Sequence, residues 1–269
     1  MSFIIRMKNS DDDDEIGCAA GGIKEVDDDM RAAELRDEIL FKQPESSHLG
    51  DCPICCLPIS IGYFTMSCCC KYICRGCAFT NQKREFEKRL ERKCPFCRHP
   101  ITNSKEENKI NFLKRAEAND PIAMIHLGAN HYEEGDYKKA FDYWTKAAEL
   151  GDIGAHYNLS RLYYNGHGVE KNEEKEMYHL EEAAIGGHAD ARYALGNFEA
   201  DNKRYDRAIK HHIIAANQGH DNALELLKKN YAHGNGFVTK DVFAAALRAH
   251  RAAVLATKSP QREEEESVR

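Results

Sequence analysis

The stretch Ala155-His-Tyr-Asn-Leu-Ser-Arg-Leu-Tyr-Tyr-Asn-Gly-His-Gly-Val169 decides the fold, because its opening hexapeptide returns along the chain. Related hexapeptides begin 32 residues earlier at Ala123 and 36 residues later at Ala191, and a degenerate copy begins after 32 more at Ala223. Each copy is followed by an Ala-Ala pair. A repeat of this length predicts stacked helical hairpins, since a single hairpin cannot bury its own apolar face.

Small residues at helical spacing within each copy predict a face on which two antiparallel helices approach closely. A glycine follows each of the first three Ala-Ala pairs, at Gly151, Gly186 and Gly219, and permits the left-handed turn that ends a helix. The large aromatic residues between the copies are predicted to fill the core rather than to contact ligands. They are Tyr132, Trp144, Tyr163, Tyr178 and Tyr205.

The cysteines point to a second kind of structure. Ten of the eleven lie between Cys52 and Cys97, and only Cys18 lies outside. Two thiolates in a C-x-x-C pair can hold one tetrahedral ion, and a structural zinc site takes four ligands. Three pairs and a run of three therefore predict two zinc ions, with two ligands drawn from the run. The pairs are Cys52/Cys55, Cys74/Cys77 and Cys94/Cys97, and the run is Cys68–Cys70.

The order of these cysteines resembles the RING finger, a zinc-binding module of ubiquitin ligases. Counted along the chain, with two cysteines of the run as the second pair, there are four ligand pairs. The resemblance implies that the first and third of these pairs share one zinc ion and that the second and fourth share the other. Lys71 stands where most members have a histidine ligand, so the sequence is similar to the all-cysteine forms. The implied ligands are Cys52, Cys55, Cys74 and Cys77 for the first ion and Cys68, Cys69, Cys94 and Cys97 for the second.

Several other candidates rank behind this set. Cys70 is the third choice within its run, and Cys56 is interpreted as a spare next to the first pair. His48 and His99 flank the module and are weaker candidates still.

The same resemblance implies contacts with a ubiquitin-conjugating enzyme and with ubiquitin. Ile54 inside the first pair, Pro95 inside the last and a helix from about Phe79 to Arg92 occupy the positions that form the enzyme-binding groove. Arg98, just after the last ligand, occupies the position that clamps ubiquitin, and its planar fork suits carbonyl acceptors. The alternatives are local packing for Ile54 and Pro95 and a solvated charge for Arg98.

The repeats resemble the SEL-like repeat, a relative of the tetratricopeptide repeat. The second copy carries the resemblance best, through Leu159, Tyr163 and Gly166-His-Gly-Val169 followed by Glu181-Glu-Ala-Ala184. The first and third copies lack the Gly-x-Gly-Val loop. The resemblance covers roughly residues 119–257 and implies a scaffold whose concave face binds a protein or peptide target.

Charge and composition complete the predicted organisation. Residues 1–51 carry a net charge of -8, residues 52–99 carry +6 and the remainder carries -4. We predict a mainly α protein in which a small zinc-stabilised α+β module precedes an α-α solenoid of about four helical hairpins. The predicted parts are an acidic, mostly disordered tail over 1–48 with one helix from about Asp28 to Phe41, the RING-like module over 49–101, a helical linker over 102–118, the solenoid over 119–257 and a charged disordered tail over 258–269.

Together these features predict a RING-type ubiquitin ligase that recruits a conjugating enzyme and binds its substrate or an adaptor through the repeats. Such a ligase acts by positioning, so no catalytic residue is expected, and no nucleophile motif or phosphate-cradling loop is present. The alternative is a non-catalytic zinc-containing interaction scaffold. Acidic flanks argue against nucleic acid as the partner of the basic module. We see no signal peptide or membrane segment, so a cytoplasmic or nuclear location is expected.

Overall fold

The computed structural model describes residues 31, 34–59, 62–101, 104–234 and 236–267. The chain forms two compact units, 1–42 and 43–269. In the first unit, residues 34–40 are helical and overlap the later part of the helix predicted from about Asp28. The rest of that prediction, most of the acidic tail and Cys18 lie outside the described residues.

The second unit begins with a small module built on a two-stranded antiparallel sheet. Strand β1, Tyr63–Met66, pairs with strand β2, Lys71–Cys74. Helix α1, Arg75–Glu87, follows directly, because the Cys74 sulfur caps its first turn by accepting from the Cys77 N–H at 3.5 Å. The helix therefore begins four residues before the predicted start near Phe79, and it ends before Arg89, which takes a left-handed conformation.

Within the described residues, nine further helices form the solenoid and the segment that leads into it. Consecutive helices from α3 to α10 pack as four antiparallel hairpins, as the repeats predict. The helices are α2 (Lys105–Glu117), α3 (Pro121–Glu133), α4 (Tyr137–Glu149), α5 (Ile153–Asn165), α6 (Glu173–Ile185), α7 (Ala189–Asp201), α8 (Tyr205–Asn217), α9 (Asp221–His233) and α10 (Lys240–Ala256).

The small residue that closes each hexapeptide lets the second helix of a hairpin approach the first. A Cβ added at Gly128 would lie 2.4 Å from Nε1 of Trp144, and one added at Gly196 would lie 2.5 Å from the His212 ring. Trp144 is held in place because its indole N–H donates to the Ile125 carbonyl at 3.2 Å. The repeat therefore requires glycine where a large ring crosses the neighbouring helix.

Two details of the predicted repeat are wrong. Tyr178 and Tyr205 are 50% and 44% exposed rather than core residues, whereas Trp144 and Tyr163 are buried. Tyr178 lies beside His179 on the outside of α6, and Tyr205 opens α8 against Phe237. The left-handed turn after α6 falls on Gly187 rather than on Gly186, which instead leaves room for the side chain of Ile153.

Helix α11, Pro260–Ser267, replaces part of the disordered tail predicted over 258–269. It packs on α1 of the cysteine module, and Gly76 permits the contact, since a Cβ there would lie 2.5 Å from the Arg262 backbone nitrogen. The sequence did not predict this helix, because the segment is rich in glutamate and has no apolar face. The one side chain that it buries is Arg262. In the described ranges no helix has the length and apolar character that a membrane span requires.

Candidate metal centres

The first cysteine cluster joins two segments of the module. Cys52 and Cys55 lie on a turn that the Asp51–Pro58 bridge closes, Cys74 ends β2, and Cys77 lies in the first turn of α1. The four sulfur atoms lie within 4.8 Å of one another, and the Cys55 and Cys74 sulfurs are 3.8 Å apart. Three of the four residues are buried, and Cys55 is half-buried.

The second cluster joins the turn between the two strands to the last cysteine pair. Cys68 and Cys69 lie in that turn, and Cys94 and Cys97 lie on a turn closed by the Lys93–Pro100 bridge. Their four sulfurs also lie within 4.8 Å of one another. The Cys69 and Cys94 sulfurs are 3.7 Å apart, and those of Cys68 and Cys97 are 3.3 Å apart.

Both clusters can hold a metal ion. A tetrahedral zinc ion with Zn–S bonds of about 2.3 Å spaces its sulfurs about 3.8 Å apart, close to the observed separations. None of the ten cysteines in the described part of the chain forms a disulfide. The clusters interleave, since the first and third cysteine pairs meet in one and the second and fourth in the other. The eight cysteines brought together are the eight that the sequence analysis named.

The remaining candidates lie away from both clusters. Cys70 points into the solenoid and packs with Phe112, Ala123 and Leu127. Burial raises the pKa of its thiol to about 12, so the side chain acts as a small apolar group. The three-cysteine run is therefore divided, with Cys68 and Cys69 facing the second cluster.

Neither Cys56 nor the two flanking histidines joins a cluster. Cys56 is exposed, in a left-handed conformation on the first turn. The ring of His48 stacks on that of His188 with centroids 4.2 Å apart. His99 contributes its carbonyl oxygen, which accepts from the Cys94 N–H at 2.8 Å and helps to shape the last turn.

Arg262 is a buried cation beside the first cluster that was not predicted from the sequence. One terminal nitrogen of its guanidinium donates to the Cys55 sulfur at 3.5 Å and to the Leu57 carbonyl at 3.4 Å. The other donates to the carbonyls of Pro58 at 2.9 Å and Thr257 at 2.5 Å. Four thiolates outweigh the charge of one divalent cation, so this guanidinium offsets negative charge at a loaded site and fixes a ligand.

Replacing Arg262 by alanine is expected to weaken metal binding at the first cluster by about 10- to 100-fold, because a ligand loses its outer hydrogen-bond partner. Competition with a colorimetric chelator measures this affinity. Glu263→Ala, an exposed change on the same helix, is the matched control and should leave both affinities unchanged. Equal affinities for Arg262→Ala and the parent chain would show that the guanidinium plays no part in metal binding.

Glu85 is a second buried charge in the cysteine module, on α1. Its side chain accepts from the Asn81 amide at 2.9 Å and from the Lys93 N–H at 3.2 Å. These bonds join α1 to the chain just before the last cysteine pair.

The three residues predicted to contact the conjugating enzyme and ubiquitin line one groove. Ile54 is 44% exposed there, which argues against its burial as packing for the first turn. Pro95 and Arg98 line the same groove from the last turn, and α11 contributes Gln261. Arg98 takes a left-handed conformation, and its N–H donates to the Cys94 carbonyl at 3.0 Å.

The paired helices define an α-helical repeat solenoid, and comparison with known families identifies the repeat. Residues 121–152, 153–188 and 189–220 each match the family model described as Sel1 repeat. The solenoid therefore contains Sel1 repeats. All matched residues lie in the solenoid. The metal-binding capacity of the cysteine module is therefore inferred from the positions of its sulfur atoms alone.

Two curated proteins are similar to parts of this chain. HcpC from Helicobacter pylori strain J99 is 46% identical over 56 residues, which cover 21% of this chain and 19% of that protein. Chitin synthase regulatory factor 4 from Schizosaccharomyces pombe is 28% identical over 124 residues, which cover 44% and 19%. The chain thus spans about a fifth of the length of these two relatives.

A solved structure shows the same fold. The crystal structure of a Sel1 repeat protein from Oxalobacter formigenes aligns with a TM-score of 0.50 and 23% sequence identity. The alignment covers 65% of this chain and 70% of that one. It supports the solenoid architecture alone.

Proposed function

We propose that this chain is a RING-type ubiquitin ligase whose cysteine module holds two zinc ions and whose Sel1 solenoid binds the protein to be modified. One observation carries the proposal: two interleaved four-thiol clusters stand beside a groove that Ile54, Pro95 and Arg98 share. A zinc ion, when bound, supplies the cross-link between distant segments that this small module otherwise lacks.

The groove supplies what a positioning mechanism needs. Ile54 presents an exposed apolar surface to a conjugating enzyme, and Pro95 presents a rigid one. Arg98 extends from a turn fixed at the second cluster, and its guanidinium can donate to carbonyl oxygens of ubiquitin. Holding the loaded enzyme and ubiquitin in one orientation accelerates attack on the thioester without a nucleophile from this chain.

Contacts between the module and the solenoid support a shared task. Thr65 on β1 is hydrogen-bonded to Nε2 of His126 in α3 at 2.8 Å, and Ser67 donates to the Asn108 side chain at 2.6 Å. Cys70 packs into the solenoid core next to these bonds. A target bound to the repeats is thereby held at a fixed distance from the groove, which raises its effective concentration there.

Ile54→Ala is expected to lower the rate of ubiquitin-chain formation at least about tenfold, because the conjugating enzyme loses its apolar anchor. The assay combines the purified chain with activating enzyme, a panel of conjugating enzymes, ubiquitin and ATP. The matched control is Leu255→Ala, which shortens an aliphatic side chain 61% exposed on α10 and outside the groove, and it should retain the parent rate. If the parent chain with two bound zinc ions is inactive across the panel, the ligase proposal is wrong and the module is a structural part of a scaffold.

A further inference from the structure

Three aspartates cap helices of the solenoid, and one of them lacks a cationic partner. Asp120 caps α3 and pairs with Arg115 at 2.6 Å, and Asp136 caps α4 and pairs with Lys139 at 2.6 Å. Asp152 caps α5 by accepting from the Ala155 N–H at 3.1 Å. Among the described side chains, no lysine, arginine or histidine forms an ion pair with Asp152.

Asp152 lies in the wall of a cavity of about 520 Å³ between the cysteine module and the solenoid. The module contributes Tyr63 of β1 and Tyr72 of β2, whose rings pack edge to face with centroids 4.8 Å apart. The solenoid contributes Asp152, Tyr157 and Ile122. The cavity therefore combines one carboxylate with three tyrosine rings, and it exists because the two parts of the chain are docked.

The charge in the wall of the cavity is negative and comes from the carboxylate of Asp152. Within the described ranges, no lysine or arginine lines it. The lining histidines, His48 and His188, have pKa values lowered by burial and are neutral at neutral pH. Burial raises the pKa of Asp152, and the nearby Asp120 adds to that rise.

More distant charges act on the third ring in opposite directions. Burial raises the pKa of Tyr157, the negative charge of Asp190 adds to the rise, and Arg161 opposes it. The two module tyrosines sense negative charge, since Asp152 adds to the burial-driven rise in the pKa of both Tyr63 and Tyr72.

We propose that this cavity binds the cationic side chain of a lysine or arginine in an extended segment of a partner protein. The partner's ammonium or guanidinium pairs with Asp152, as Arg115 and Lys139 pair with the two neighbouring caps. The faces of Tyr63 and Tyr72 add cation–π attraction. The volume suits one long side chain with its flanking backbone. This inference goes beyond the proposed function, because binding can be measured without ubiquitin transfer.

The probe is the blocked heptapeptide acetyl-Gly-Gly-Ala-Lys-Ala-Gly-Gly-amide, with versions in which arginine or glutamine replaces the lysine. Binding to the zinc-loaded full chain is followed through the tyrosine ring signals in proton NMR titrations. We expect a Kd of about 1 mM or tighter for at least one of the two cationic peptides. The glutamine peptide should bind at least about tenfold more weakly. The lysine and arginine arms show which cation the cavity prefers.

Asp152→Asn separates the binding role from the capping role, because asparagine caps a helix as well as aspartate does. This variant should retain the parent melting temperature and bind the cationic peptides at least about tenfold more weakly. Asp136→Asn changes the neighbouring cap and should bind as the parent does. The proposal is overturned if neither cationic peptide binds the parent chain, if glutamine binds equally well, or if Asp152→Asn binds unchanged.

Discussion

Replacing Cys69 by alanine should lower the zinc content from two ions per chain to one, whereas replacing the adjacent Cys70 should leave both ions bound. Cys69 lies 3.7 Å from Cys94, sulfur to sulfur, within the second cluster. Cys70 instead lies among Phe112, Ala123 and Leu127 of the solenoid. Zinc analysis of the two purified variants by mass spectrometry measures the difference.

The effect of losing the second ion should extend to folding and activity. Structural zinc contributes roughly 10–16 kcal/mol to the folding of small domains, and the apolar core of this module consists of little more than Ile59 and Ile73 among the ligands. The Cys69→Ala variant should therefore lose protease protection of the last cysteine turn together with all ubiquitin transfer.

Cys70→Ala controls for the removal of a thiol from this turn. It leaves a small cavity that costs about 1 kcal/mol and should retain activity. Loss of an ion from the Cys70 variant, with both ions kept by the Cys69 variant, would contradict the assignment of ligands.

Acidification is expected to unfold the solenoid between about pH 6 and pH 5, because several of its histidines are held neutral. Burial lowers the pKa of each of these rings far below the ordinary 6.5. The pKa falls to about 4 for His126, His179 and His212 and to about 3 for His188 and His211. His188 must also stay neutral at Nδ1 to accept from the Ala191 N–H as a helix cap.

The sign follows from proton binding in the two states. The unfolded chain takes up a proton at each of these rings as the pH falls below 6.5, whereas the folded chain does so only near pH 4 or 3. The free energy of unfolding is therefore complete above about pH 6.5 and falls by about 1.4 kcal/mol per ring for each pH unit below it. The summed loss from five rings approaches the whole free energy of unfolding of a typical domain within one to two pH units below 6.5.

Urea titrations at pH 7.5, 6.5 and 5.5, followed by circular dichroism at the helix band, measure this loss. His212→Leu is the diagnostic variant, because both ring nitrogens of His212 are buried without a hydrogen-bond partner. It should reduce the loss by about 1.4 kcal/mol per pH unit while leaving the metal sites unchanged. If the variant and the parent chain lose stability in parallel, His212 is not one of the responsible groups.

The features that sequence predicted are those in which spacing along the chain determines spacing in the fold. The repeat of Ala155 at fixed intervals indicated the helical hairpins, and the closing residues Gly128 and Gly196 are small because Trp144 and His212 cross them. The cysteine pairs predicted two four-thiol groups for a similar reason, since C-x-x-C fits a single turn. The tail boundaries of the first 48 residues remain predictions.

The features that sequence did not predict depend on contacts between distant segments. Arg262 contacts Cys55, which lies more than 200 residues earlier in the chain. The acidic residues around Arg262 in the sequence predicted a disordered tail instead of a buried contact. In the part of the chain that the structure describes, no lysine or arginine lines the cavity around Asp152, and the two module tyrosines reach that cavity only because the module docks on the solenoid. Cys70 was ranked last in its run by resemblance, and its burial in the solenoid supplies the physical reason.

The central claim is that the metal-held module positions a loaded conjugating enzyme, and ubiquitin discharge to free lysine tests it most directly. In this single-turnover reaction no target on the solenoid is needed. We predict that the zinc-loaded chain accelerates discharge at least about tenfold for one or more conjugating enzymes of a broad panel. Arg98→Ala should abolish the acceleration, and Arg89→Ala, an exposed arginine with the same left-handed backbone conformation, should retain it. No acceleration by the zinc-loaded chain with any member of the panel would contradict the claim.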